Sequence, residues 1–120
     1  MNDPASYVAA VLSVYRNLPD TPLRPSAADQ SLATLFFEQS IPCSLVESAL
    51  LLGSLRRLIR PPNAPPLTPI RSLAYFRPVV EELRSHPLPE GYATYLRLKL
   101  YRVASGLPAN TQKTTFSDDR

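Results

Sequence analysis

The sequence is nearly devoid of the residues from which metal sites and disulfide frameworks are built. Its 120 residues include one cysteine, Cys43, and one histidine, His86. A disulfide within the chain is therefore excluded, as is a zinc site made of cysteines and histidines from one chain. No glycine-rich phosphate loop and no arrangement of serine, histidine and carboxylate can be made out. We therefore expect no metal, no cofactor and no enzymatic activity.

Glycine and long apolar runs are also scarce. Three glycines accompany fourteen prolines, which favours helices joined by stiff connections over β-hairpins, whose turns need glycine. The longest apolar run, "ALLLG", is far shorter than the ~20 residues that a membrane span requires. The start "MNDPAS" lacks the charged and apolar regions of a signal peptide. These absences predict an all-α, cytoplasmic protein with no membrane partner.

The first half of the chain predicts three helices, each preceded by residues that cap a helix start. The first should end where Pro19 interrupts the apolar pattern, and the second is expected from about Ala27 to Gln39. Apolar residues nearly encircle the third, which is typical of a central, buried helix. The expected caps, in order, are Asp3 with Pro4, Ser26 with Asp29, and Ser44 with Glu47.

The second half predicts a proline-rich loop followed by two further helices. The loop "PPNAPPLTP", from Pro61 to Pro69, should be stiff and extended. Thr68 and Pro69 are expected to begin a fourth helix that Pro78 kinks or breaks near Phe76. The segment "EGYATYLRLKLYRVASG" fits both strand alternation and helical spacing. We expect a helix, because no second strand exists to pair with it.

Together these segments predict a compact all-α bundle of about five helices, with a kinked fourth helix. A length of 120 residues suits a single domain with one core. We expect one helical domain over residues 1–106, with Gly106 stopping the last helix. Residues 107–120 are polar and lack periodicity, so a disordered tail is expected there.

The net charge of +3 is unevenly distributed along the chain. Residues 1–52 carry two basic and five acidic side chains, whereas residues 53–104 carry nine basic and three acidic ones. Four arginines surround the proline-rich loop without a carboxylate in the same segment, and tyrosines are interleaved with the cations. This asymmetry indicates a polyanionic partner for the second half. The candidate DNA-binding residues are Arg56, Arg57, Arg60, Arg71, Tyr75, Arg77, Arg97, Lys99 and Arg102.

Each part of this set also has a structural interpretation. Arginines near the end of a helix complement its dipole. One or two arginines would suffice for this purpose, but three are predicted on one side of the third helix: Arg56, Arg57 and Arg60. We therefore expect them to act as a group. Most of the second-half tyrosines would belong to the core, as aromatic residues at helical spacing usually do. The loop could instead be a ligand of an SH3-like groove, but a loop closed between helices makes a poor extended peptide.

Two groups of residues bear on catalysis. Cys43 could be a nucleophile with His86 as its base. Its place after an Ile-Pro step, at a helix start, is however typical of a small, partly buried structural thiol. Glu81 and Glu82 are adjacent, so on a helix they point ~100° apart and form a solvated face rather than an acid/base pair.

Two segments, "SIPCSLVESALLLGSLRRL" and "PIRSLAYFRPVVEEL", give the chain a resemblance to uncharacterised reading frames carried by bacterial mobile elements. This resemblance covers residues 7 to about 100. More loosely, the helical pattern is similar to the C-terminal module of DnaD-like replication proteins, in which a tyrosine-containing segment binds DNA. That likeness implies that Ser72, Tyr75 and Phe76 occupy the matching segment, from whose pattern Pro78 departs.

The leading hypothesis is therefore a small DNA-binding accessory protein of a mobile element, acting in its replication or transposition. The arginines would contact phosphates, which position the protein without specifying a sequence or a strandedness. The alternative is a protein-interaction adaptor or a homo-oligomerisation module. In that case the same arginines would pair with carboxylates of a recombinase, a transposase, a helicase or an identical subunit.

Overall fold

The computed structural model describes residues 3–105, which form five α-helices and one short 3₁₀ turn. No strand occurs within these residues. The expected all-α bundle is confirmed, as is the helix expected for the last segment. Gly106 and the predicted tail over residues 107–120 lie outside the described residues. The elements are α1 (Pro4–Arg16), α2 (Ala27–Glu38), α3 (Cys43–Leu58), the 3₁₀ turn (Leu73–Phe76), α4 (Arg77–Ser85) and α5 (Tyr92–Ser105).

The first two helices begin where their capping residues predict. The Asp3 carboxylate accepts a hydrogen bond from the Ser6 amide at 2.9 Å, and Pro4 occupies the first turn of α1. At the start of α2, Ser26 and Asp29 form a complete capping box, each side chain accepting a hydrogen bond from the other residue's amide. These bonds satisfy amides that the first helical turn leaves unpaired.

The third helix begins earlier than expected. The predicted capping box of Ser44 and Glu47 is wrong, because α3 starts at Cys43 with Pro42 as its cap and has no side-chain cap hydrogen bond. Its central position is as predicted, since α1, α4, α5 and the 3₁₀ turn all pack against it. Apolar residues around its axis are therefore covered on several sides at once.

The proline-rich loop extends further than expected. Thr68 and Pro69 begin no helix; the chain stays irregular up to Ser72, whose hydroxyl caps the 3₁₀ turn. The break expected near Phe76 to Pro78 is confirmed, because the 3₁₀ turn ends at Phe76 and α4 starts at the next residue. Pro78 lies in the first turn of α4, where its missing N–H costs nothing.

Side chains from every helix meet in one hydrophobic core. Its largest members are aromatic: Tyr15, Phe36 and Phe76 are each at most 1% exposed. The rings of Tyr15 and Phe76 meet edge to face, with their centroids 6.3 Å apart, a geometry that aromatic pairs prefer. Phe76 thus joins the 3₁₀ turn to α1 as well as to α3.

No described helix is both long enough and apolar enough to cross a membrane.

Gly53 lets α3 and the 3₁₀ turn approach each other closely. A Cβ atom added at Gly53 would lie 2.8 Å from Cδ1 of Phe76 and 3.4 Å from a methyl carbon of Val79. The Phe76 ring is fully buried, so close packing leaves it little room to turn away. Glycine is therefore required at position 53 because there is no room for a Cβ atom, and not because of its backbone conformation.

We expect Gly53→Ala to lower the free energy of unfolding by up to about 2 kcal/mol, because overpacking outweighs the gain in helix propensity. Urea unfolding of the wild type, Gly53→Ala, Phe76→Leu and the double variant measures this effect. In the Phe76→Leu background the alanine should be neutral or stabilising. An equal loss in both backgrounds would contradict the steric explanation.

Candidate nucleic-acid interface

The four arginines around the proline-rich loop, hereafter the loop arginines, lie in different environments: they are Arg56, Arg57, Arg60 and Arg71. Arg57 is the buried one, with a side chain only 4% exposed. Its Nη2 donates to Oδ2 of Asp20 at 3.1 Å and to the carbonyl oxygen of Thr68, and its guanidinium lies over the Tyr75 ring, 5.7 Å from the centroid. Because this guanidinium faces the protein interior and not solvent, Arg57 leaves the candidate set of phosphate contacts.

Arg57 instead joins two connections of the chain. Asp20 lies between α1 and α2 and has a φ of +65°, a left-handed conformation that aspartate tolerates better than most residues. Its carbonyl oxygen accepts a hydrogen bond from the Ile70 amide at 2.8 Å, beside the contact of Arg57 with its carboxylate. The proline-rich loop is thereby fixed to the α1–α2 connection through both backbone and side chain.

Arg56 is exposed but paired. Its two terminal nitrogens donate to the two carboxylate oxygens of Glu82, each at 2.7 Å, and so join α3 to α4. These hydrogen bonds, with the opposite charge, hold the pKa of Glu82 below its usual range. The segment around the loop contains no carboxylate, and the one that pairs with Arg56 belongs to Glu82, 26 residues further along the chain.

The three remaining predicted arginines near the loop are exposed or half-buried. Arg60 lies beyond the end of α3 and donates to the Pro65 carbonyl across the loop, so the expectation that it shares a helical arc with Arg56 and Arg57 is wrong. Arg71 and Arg77 are exposed. None of these three forms an ion pair within residues 3–105.

The last helix presents a second group of cations in a different environment. Leu96, Leu100 and Ala104 bury one side of α5, which packs on α3. The helix contains no acidic residue. Its outer side, hereafter the α5 face, consists of Tyr95, Arg97, Leu98, Lys99, Tyr101 and Arg102.

The α5 face combines unpaired charge with exposed rings. As far as the described residues go, no carboxylate forms an ion pair with its three cations. Tyr95 is 48% exposed, Leu98 54% and Tyr101 45%. The Lys99 ammonium lies 5.8 Å from the centre of the Tyr95 ring and donates to its hydroxyl at 3.4 Å. The face therefore resembles a surface for an anionic ligand with apolar parts.

Sequence reasoning missed two features of this arrangement. It assigned most second-half tyrosines to the core, whereas Tyr75, Tyr95 and Tyr101 are exposed and Tyr92 is half-buried. It also did not distinguish Leu98, which is exposed, from the buried Leu96 and Leu100. A strict helical wheel separates Leu98 from Leu96 and Leu100 by more than 100°, which is the signal that could have identified it.

A groove runs between α1 and α5, next to the α5 face. Its volume is about 380 Å³, within the roughly 300 to 1,000 Å³ of ordinary ligand sites. Its apolar walls are formed by Val14, Leu18, Leu51, Leu98 and Leu100. As far as residues 3–105 are concerned, no carboxylate lines it.

Cys43 is held in a setting that opposes nucleophilic reactivity. Its Sγ lies 3.8 Å from Oε2 of Glu47. Burial and the negative charge of Glu47 disfavour the thiolate and raise the pKa of Cys43 to about 11. His86, at the end of α4, is exposed. Among residues 3–105, no group of three or more histidine, cysteine, aspartate or glutamate side chains is placed to hold a metal ion.

Arg57→Ala should lower the free energy of unfolding by about 3 kcal/mol, because it leaves the Asp20 carboxylate without its buried partner. Arg56→Ala is the matched control, since it removes the same side chain from a solvent-exposed pair and should cost much less. Urea denaturation of the two variants makes the comparison. Similar losses would show that Arg57 does not join the two connections as described.

At pH 8, alkylation of Cys43 by iodoacetamide should be roughly 100-fold slower than alkylation of a small thiol, because little thiolate is present well below the pKa. The rate should rise as the pH approaches about 11. Glu47→Gln removes the repelling charge, lowers the pKa of Cys43 and speeds the reaction at pH 8. An alkylation rate that already reaches a plateau near pH 8 would contradict this.

Comparison with protein-family models, with curated proteins and with solved structures finds no match for this chain.

Proposed function

We propose that this protein binds DNA through the α5 face, with Arg97, Lys99 and Arg102 on phosphates and the tyrosine rings beside them. The observation that carries the proposal is a helix with three cations that no carboxylate pairs within residues 3–105. Unpaired cations supply most of the sequence-independent affinity for nucleic acid. Exposed aromatic rings add stacking on bases.

The packing of α5 supports a role in binding. Leu96 and Leu100 are each 1% exposed and fix the helix on α3. The cations therefore project from a rigid element, and less conformational freedom is lost when a ligand binds. In the cellular role that we propose, this activity serves the replication or transposition of a bacterial mobile element, in keeping with the sequence resemblance.

The loop arginines take a smaller part in this proposal. Arg57 is buried, and Arg56 would have to exchange Glu82 for a phosphate. Arg60, Arg71 and Arg77 carry no such pairing within the described chain. In this proposal each of them adds a phosphate contact to a long DNA.

One observation favours the adaptor alternative. Tyr95, Leu98 and Tyr101 together expose an apolar and aromatic surface, and such residues are common at the centres of protein interfaces. Because the same surface carries three cations, its protein partner would have to be acidic. A recombinase, transposase or helicase segment rich in carboxylates would meet this requirement.

Two matched triple variants test the proposal. Arg97→Ala/Lys99→Ala/Arg102→Ala should weaken DNA binding at low salt and reduce the log-log salt slope by roughly 2 to 3, since three phosphate contacts are lost. Arg60→Ala/Arg71→Ala/Arg77→Ala removes the same charge elsewhere and should have a smaller effect. Fluorescence anisotropy with labelled single-stranded and double-stranded DNA, at several salt concentrations, measures both.

Either of two results would refute the proposal. If the wild type binds neither DNA at low salt, DNA is not the ligand, and an acidic protein takes its place. If the two triple variants lose equal affinity, the α5 face has no special role and only the overall charge matters. Thermal unfolding of both variants verifies that they fold.

A further inference from the structure

The groove between α1 and α5 is continuous with the proposed DNA-binding surface. Arg97, Leu98 and Tyr101 belong both to the α5 face and to the lining of the groove. A strand with a phosphate on Arg97 therefore passes the mouth of the groove. Any chemical group of that strand that points towards α1 would enter the apolar groove.

The lining combines apolar walls with polar groups at the α1 side. Ser13 and Asn17 lie on α1 and at its end, where both are exposed. The Asn17 amide and the Ser13 hydroxyl form no side-chain hydrogen bond within the part of the chain that the structure describes. An amide offers both donors and an acceptor, so it can pair with the edge of a flat polar ring.

We infer that this groove is a site for an unpaired nucleobase and that the ligand is single-stranded; this inference rests on the proposed DNA binding. The base lies between the leucine walls, its edge faces Asn17 and Ser13, and the adjoining phosphate lies on Arg97. A base of a duplex enters such a cleft only after it is unpaired and unstacked, which costs free energy that a single strand does not pay.

Charge and lining favour a nucleobase over a protein side chain. Among residues 3–105, the groove has one cation in its lining, Arg97, and no carboxylate. A base always comes with an anionic phosphate, which matches this distribution. An apolar side chain would fill the walls equally well but would leave the polar groups of Asn17 and Ser13 unused.

The test compares a labelled oligonucleotide with an abasic strand of the same length and charge, so that phosphate contacts cancel. Wild-type protein should bind the abasic strand and the corresponding duplex roughly tenfold or more weakly than the strand with bases. Ser13→Leu/Asn17→Leu fills the groove with aliphatic side chains and should abolish this preference while leaving affinity for the abasic strand unchanged.

The variant Gln30→Leu/Ser31→Leu is the matched control, because it makes two equivalent changes at exposed positions of α2 outside the groove. It should keep the wild-type preference. Leu98→Ala serves as a second groove variant that is safe for folding, since Leu98 is 54% exposed. It removes part of the apolar wall and should also reduce the preference for bases.

The failures of the inference and of the proposed function are distinguishable. Equal binding of abasic and base-bearing strands, or a groove variant that keeps the preference, overturns the nucleobase site and leaves DNA binding in place. A duplex bound as tightly as the single strand overturns the inference in the same way. If no strand binds, the proposed function fails, and retention of an acidic, leucine-containing peptide would then assign the groove to a protein.

Discussion

The need to cover α3 on nearly every side organises this protein. Val46, Ala49 and Leu50 of that helix are completely buried, and α1, α4, α5 and the 3₁₀ turn each cover part of it. Once α5 applies its leucines to α3, helical geometry directs its arginines and remaining tyrosines outward. The cationic α5 face is therefore a consequence of core packing, which also makes it rigid.

A second constraint comes from the long connection between α3 and the 3₁₀ turn. Without helix or strand, its backbone groups need partners elsewhere. Arg57 holds the Thr68 carbonyl, Asp20 holds the Ile70 amide, and the buried Asp29 carboxylate accepts the Leu73 amide at 2.9 Å. Arg57, which the sequence places just before this stiff loop, thus contributes to folding and is not available to a ligand.

Local signals predicted the elements better than they predicted the site. Caps such as Asp3 and Ser26 act within one helical turn, so a short window suffices to recognise them. Thr68 and Pro69 also resemble a helix start, but the tertiary contact with Arg57 takes the Thr68 carbonyl instead. The pairing of Arg56 with Glu82 spans 26 residues and depends on how α4 packs on α3. No local pattern contains that information, so the loop arginines looked unpaired.

The distinction between paired and unpaired cations decides which of them can bind a polyanion. An arginine that already holds a carboxylate through two hydrogen bonds exchanges one anion for another when it meets a phosphate, and the net gain is small. A cation without a carboxylate partner gives up no ion pair and releases condensed counterions from the nucleic acid, and their release drives binding. Counting basic residues along the second half therefore overstates the number of cations that it could offer to a polyanion. The cations of α5 and of Arg60, Arg71 and Arg77, which no ion pair occupies within residues 3–105, are the ones that count.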